Sequence, residues 1–190
     1  MARPEEAPRD SKTLYRHPDD PSGNRRTWRD ELLEYNRRSE DNPLGLLPAW
    51  RLYKNAVYSQ LVEAFGLNNV FILSAGWGLL AADFLTPNYD ITFSQAEAYK
   101  KRRVRDCYYD LRMLPTERAG RIVFVGGEKY VGLFDALTDG SAGKRVIFYN
   151  SDRALVVQGC SCVRFETTTR TNWHYECAKA LIDGSLDIPT

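Results

Sequence analysis

Apolar residues recur along this chain in two rhythms, one helical and one of short unbroken runs. Trp28, Leu32 and Tyr35 fall on one helical stripe. They predict a helix from Trp28 to about Arg38, with Thr27 as its N-cap and Asp30 completing an approximate capping box. Asn42-Pro43 ends it. Pro48 suits a first helical turn, and Trp50, Tyr53, Val57, Leu61 and Ala64 share a face. A second, longer helix to about Phe65 follows from this, stopped by Gly66. Val70-Phe71-Ile72-Leu73 is a continuous apolar run, the pattern of a strand buried on both faces. Arg121–Val125 and Val146–Tyr149 read the same way.

Between and after these runs, Ser94 caps a predicted helix through residue 106, and Glu128 to Leu137 reads as another. Arg153 to Gln158 and Val163 to Thr167 are expected to be strands, and residues 173 to 183 the last helix. Alternating helices and strands predict a single α/β domain over residues 27–190, with a central mixed or mostly parallel sheet flanked by helices. Residues 1–26 hold four of the nine prolines and few aliphatics, which suggests an extended or mobile arm. His17-Pro18-Asp19-Asp20-Pro21 reads alternatively as a fixed turn at the edge of a site.

Composition narrows the class. The chain has 190 residues, enough for one domain with a substantial core. Net charge is only +1, so any nucleic-acid surface must be local. No apolar run is long enough to span a bilayer, and the N-terminus lacks the apolar core of a secretory signal, so a cytoplasmic protein without a membrane partner is expected. The cysteines are then expected to be reduced. Cys160, Cys162, His174 and Cys177 could supply four zinc ligands, the alternative being small buried thiols. No cofactor is called for.

Only His17 and His174 are histidines, and no G-x-S-x-G elbow is present, so histidine-centred hydrolysis is disfavoured. Neither a P-loop nor a G-x-G-x-x-G turn occurs. Carboxylate chemistry remains. Asp90 follows Asn88 and Tyr89, close to the small-residue stretch Ser74-Ala75-Gly76-Trp77-Gly78. A desolvated aspartate activates water or stabilises an oxocarbenium-like transition state. Asn88 could read a base edge, and Tyr89 or Trp77 could stack on the ring, with a turn aspartate and a core tryptophan as the plainer alternatives. Gly126-Gly127 between a strand and a helix makes a natural anion site, or simply a tight turn. Lys100, Lys101, Arg102, Arg103 and Arg105 place five cations in six positions, flanked by Tyr99, Tyr108 and Tyr109. They suggest a helix contacting phosphates, the alternative being a solvated face.

S-A-G-W-G-L-L at 74–80, followed by P-N-Y-D at 87–90, resembles the signature of a family of small bacterial and phage proteins. Those proteins are similar to the peroxide-stress YaaA group, which is associated with DNA binding. The likeness extends to Leu52-Tyr53 upstream and F-V-G-G-E-K-Y at 124–130, covering about residues 48 to 150. Here Trp77 replaces the usual tyrosine, and Asn88 stands between Pro87 and Tyr89. The resemblance implies work on nucleic acid, and similarity to anti-phage glycosylases that remove glucosylated hydroxymethylcytosine is also suspected.

Together these readings predict a DNA N-glycosylase acting on a modified base in anti-phage defence. Asp90 and Asn88 would do the chemistry. Ser74, Gly76, Trp77, Gly78, Tyr89, Gly126, Gly127, Lys129 and Tyr130 would line the pocket, and the five cations would hold the backbone. Lys129 could instead attack the sugar. The alternatives are a non-catalytic DNA-binding stress protein and a hydrolase of free nucleosides or nucleotides.

Overall fold

The computed structural model describes residues 17–23, 25–38, 41–88, 91–94, 100–169 and 171–189. Tyr89, Asp90, Tyr99 and residues 1–16 of the expected arm lie outside the described residues. The fold is α/β, and the chain divides into two compact units, Met1–Met113 and Leu114–Thr190.

In the first unit, Thr27 and Asp30 form the expected capping box: the Thr27 N–H donates to Asp30 Oδ2 at 2.9 Å, and the Asp30 N–H donates to Thr27 Oγ1 at 3.2 Å. Helix α1, Trp28–Arg38, follows. Its buried residues are Arg29 and Leu32, whereas Trp28 is exposed, so the inner stripe is rotated by one residue from the hydrophobic pattern. Asn36 continues that stripe and clamps the backbone of Leu85, donating to its carbonyl at 2.9 Å and accepting its N–H at 2.8 Å.

Strand β1 is Leu47–Pro48, and a 3-10 turn takes Ala49–Leu52. The long helix expected from Pro48 to Phe65 is therefore split. The Ala49 and Trp50 N–H groups are committed to the carbonyls of Phe84 and Ala82. Asn55 Oδ1 accepts the Val57 N–H at 2.9 Å, a local bond that restarts the chain as α2, Val57–Phe65. Gly66 closes α2 with φ +80, in the stopping role expected of it.

Strand β2 is Phe71–Ser74 and β3 is Gly78–Ala81. They pair antiparallel, Ser74 facing Gly78, so Ala75-Gly76-Trp77 is a three-residue hairpin loop. This corrects the expectation of a strand covered on both faces, because burial along β2 alternates instead. Strand β4, Leu85–Thr86, pairs with β1, and β5, Leu111–Arg112, runs parallel to β3. Leu32, Ala49, Val70, Ile72, Trp77, Leu80 and Ala82 form the core of this unit.

The helix expected from Ser94 to residue 106 is absent over 101–106, residues 95–99 being outside the description. The Thr92 N–H donates to the Lys100 carbonyl at 2.9 Å and the Arg102 N–H to the Thr92 carbonyl at 3.0 Å, which bridges Lys101 to Thr92 in place of helical bonds. Neighbouring like charges would also have repelled one another along a helix.

The second unit is a three-layer α/β/α arrangement. Strands β6, Arg121–Val125, β7, Lys144–Tyr149, and β8, Cys160–Arg164, form a parallel sheet in that order. A 3-10 turn at Glu128–Tyr130 leads into α3, Val131–Thr138, between β6 and β7, and α4 is Trp173–Ile182. Val146, Ile147 and Phe148 are fully buried because β7 is central and covered on both faces. Phe124 stacks on Phe134 of α3 at 4.9 Å on one face, and Val146 and Phe148 pack with Trp173 and Cys177 of α4 on the other. Arg153 to Gln158 is not a strand. A parallel pair needs a crossover connection, and this stretch carries the chain back from the end of β7 to the start of β8. The last strand accordingly begins at Cys160, not Val163.

Candidate functional site

The hairpin loop at Ala75–Trp77 has its polar groups engaged from inside. Ser74 Oγ accepts the N–H groups of Gly76 and Trp77 at 3.2 and 3.0 Å. Arg29 donates to the carbonyls of Gly76 and Trp77 at 2.9 and 2.8 Å, and Arg102 to that of Ala75 at 3.1 Å. Both arginines are buried, and each has its own carboxylate: Asp19 accepts from Arg29 Nε at 2.7 Å, and Asp110 accepts from both terminal nitrogens of Arg102 at 2.8 and 2.6 Å. A buried guanidinium is tolerable only with such partners. Two charges are therefore sequestered to hold one loop.

This arrangement relocates several predicted residues. Ser74 and Trp77 are buried, at 1% and 4% exposure, and the Arg29 guanidinium lies 5.5 Å from the centre of the Trp77 ring. Trp77 is thus a core anchor beneath the loop. Gly76 is buried behind it. Gly78 has φ +98, and a Cβ there would sit 2.5 Å from the Leu111 carbonyl oxygen. Its glycine is required by the close approach of β5. Asn88 is half-buried at the end of the described stretch, and Tyr89 and Asp90 lie outside it.

Arg102 is the one member of the cation cluster that turns inward, and a buried, ion-paired arginine cannot hold phosphate. This corrects its expected role. Lys101, Arg103 and Arg105 are exposed and make no ion pair among the described residues, while Lys100 is half-buried. Residues 103–106 form a turn: the Arg103 N–H donates to Asp106 Oδ2 at 2.7 Å and the Asp106 N–H to the Arg103 carbonyl at 3.0 Å. Side chains then alternate, as in any extended stretch. Tyr108 turns in, its ring 4.3 Å from the Arg102 guanidinium carbon; Tyr109 turns out, 79% exposed; Asp110 turns in again.

Asp19 joins this segment to the rest of the unit. One of its carboxylate oxygens takes Arg29 and the other takes the Tyr109 N–H at 3.0 Å. The stretch from His17 to Pro21 is therefore a fixed turn rather than arm: Pro18 is buried, and the carbonyls of Pro18 and Asp20 accept the N–H groups of Arg29 and Trp28. His17 packs edge-on against Tyr108 with ring centres 4.1 Å apart. Its Nδ1 accepts the Asp19 N–H at 3.3 Å, and its buried Nε2 has no hydrogen-bond partner among the described residues. Burial pushes the His17 pKa below its ordinary value, with Asp19 and Asp20 pulling it the other way. Burial raises that of Tyr108.

Gly126, Gly127, Lys129 and Tyr130 belong to the second unit. A Cβ on Gly126 would meet the Phe124 ring at 2.7 Å, so that glycine is fixed by packing. Gly127 has open space around it and an ordinary extended backbone, and Lys129 is exposed. Tyr130 is half-buried, and its N–H donates to the Gly127 carbonyl at 2.9 Å.

The zinc alternative fails on register. Cys162 lies beside Ile147, which lies beside Phe124, so Cys160 and Cys162 face the α3 side of the sheet. Cys177 and the rest of α4 cover the opposite side. Among the described residues no group of three potential metal ligands comes together. Burial raises the Cys177 thiol to about 12 and lowers the His174 imidazole.

Arg29 and Asp110 were not foreseen from the sequence, and Asp19 was named only as part of a turn at the edge of a site. An arginine on the inner stripe of α1 leaves no trace in a hydrophobic pattern, and its partners lie far away in sequence. Asp110, eight residues after Arg102, was the nearest signal. No family model matches this chain, and neither a curated protein nor a solved structure does. Among the described residues no helix is long and apolar enough to cross a membrane.

Proposed function

We propose that this protein acts on DNA, binding it through Lys101, Arg103, Arg105 and Tyr109 and cleaving the N-glycosidic bond of a modified base. The observation that carries the reading is the sorting of charge along 101–110. Arg102 and Asp110 turn inward and neutralise one another, as Arg29 and Asp19 do beside them, and three cations with a tyrosine are left outside. A protein of net charge +1 thereby presents a local cationic surface with an aromatic ring on it, the combination that engages phosphates and bases.

The chemistry is assigned to Asp90, with Asn88 beside it. The bond between the base nitrogen and C1′ breaks with its electron pair leaving on the base. The carboxylate stabilises the positive charge developing on the sugar. A water oxygen bonds to C1′, its proton passing to the carboxylate and then to the departing base. The resemblance of residues 74–90 to small bacterial and phage proteins supports work on nucleic acid, and the suspected similarity to anti-phage glycosylases is what suggests this reaction. Defence against phage bearing modified bases would be its setting.

A second reading, DNA binding without chemistry, is favoured by one observation. The polar backbone of the Ala75–Trp77 loop is taken up by Ser74, Arg29 and Arg102, which leaves that loop little to offer a substrate.

Both readings are tested by titrating a fluorescent DNA at several salt concentrations, with wild type beside the triple variant Lys101→Ala, Arg103→Ala, Arg105→Ala. Salt-sensitive binding that weakens in the triple variant, with a shallower salt slope, is expected. Unchanged binding, or none in wild type, would overturn the assigned surface.

A further inference from the structure

We infer that the surface at 101–109 recognises an unpaired base, so that the nucleic acid it takes is a single DNA strand or an opened duplex. The inference rests on the DNA reading above and specifies its substrate. Its basis is the presentation of Tyr109. Tyr109 is 79% exposed, while its backbone is held from both sides: its own N–H donates to Asp19 at 3.0 Å, and the next residue, Asp110, is locked to Arg102. An outward tyrosine on a braced backbone loses little freedom on binding and offers a face on which a base can stack.

The surroundings fit a strand rather than a duplex. Val104 stands at the tip of the 103–106 turn, 85% exposed, and places apolar surface between the flanking cations Arg103 and Arg105. Apolar and aromatic surface is of use to a base only when its ring face is free, and in an intact duplex those faces are covered by neighbouring bases. The only carboxylate within the turn, Asp106, is half-buried and aimed at the Arg103 N–H at 2.7 Å, and the exposed cations Lys101, Arg103 and Arg105 outnumber it. Sequence-tolerant stacking beside backbone cations is how proteins commonly hold single strands.

The test measures fluorescence anisotropy with a labelled oligothymidine and with a hairpin duplex of equal charge, for wild type, Tyr109→Ala and Tyr109→Phe. Thermal melting confirms that each variant is folded; the exposed ring leaves the fold little to lose. Wild type is expected to prefer the single strand. Tyr109→Ala should weaken that binding by about tenfold or more, weaken duplex binding much less, and be rescued by Tyr109→Phe. Equal affinity for strand and duplex, with Tyr109→Ala silent, would overturn the inference while leaving the DNA reading in place. Failure to bind either DNA, or tighter binding of a polyglutamate peptide, would overturn both.

Discussion

Arg102 and Asp110 meet through two parallel hydrogen bonds, 2.8 and 2.6 Å long, with both side chains nearly closed off from solvent. The pair reaches beyond itself, since the same guanidinium holds the Ala75 carbonyl and lies over Tyr108. Removing one partner leaves a buried charge without compensation. Arg102→Ala is expected to destabilise the protein by about 3–5 kcal/mol. The double replacement Arg102→Met, Asp110→Leu should cost less than Arg102→Ala alone. Urea denaturation of wild type and the two variants checks this, and a double variant less stable than Arg102→Ala would count against the pair.

Gly78 and Gly127 were both expected to line a pocket, yet they answer to different constraints. Gly78→Ala combines a left-handed backbone with a clash at 2.5 Å against Leu111, and should prevent stable folding. Gly127→Ala meets open space and an ordinary φ, and should shift stability by no more than about 0.5 kcal/mol. Thermal melting of the two variants separates them.

Stability should depend on pH through the histidines. Burial depresses both His17 and His174, so the unfolded chain binds protons before the folded one. Stability is then at its full value above the unfolded histidine pKa. It declines as pH falls below about 6.5 and continues to decline until the folded values are passed. Asp30 and Glu176, whose carboxylates are held below their usual range by the hydroxyl and backbone groups of threonines, lose their contribution only at lower pH. His17→Asn should flatten the curve between pH 5 and 7, as read by chemical denaturation across that range; an unaltered slope would contradict the buried imidazole.

The thiols should react in order of access. Cys107 is exposed, whereas Cys177 is buried between α4 and the sheet with its thiol raised to about 12. A thiol reagent at pH 8 should label Cys107 within the folded protein and Cys177 only on unfolding. Early labelling of Cys177, followed by mass mapping, would contradict the packing of α4.

Much of the second unit was legible because a buried parallel strand announces itself. Val123 to Val125 and Val146 to Phe148 are unbroken apolar runs, and the helix after Gly126-Gly127 follows with ordinary spacing. The first unit was less so. Pro48 and the apolar residues after it fit a helix locally, but the pairing of Ala49 and Trp50 with Phe84 and Ala82 prevailed. Val70 to Leu73 looked like a strand buried on both faces, and nothing local said that it would turn back through Ala75–Trp77. The loop's dependence on Arg29 and Arg102 was invisible for the same reason: each arginine reads as surface charge until its distant carbonyls and carboxylate are known. The cations at 100–105 were recognised as a group, but not that Arg102 would separate from its neighbours.

The most direct measurement is release of a free base from modified and unmodified phage DNA, followed by mass spectrometry, with wild type beside Asp90→Asn. The account predicts a base released from modified DNA by wild type, lost in a folded Asp90→Asn protein that still binds the strand. No base released from any DNA by wild type, with binding intact, would contradict the glycosylase and leave DNA binding alone as the activity of the 101–109 surface.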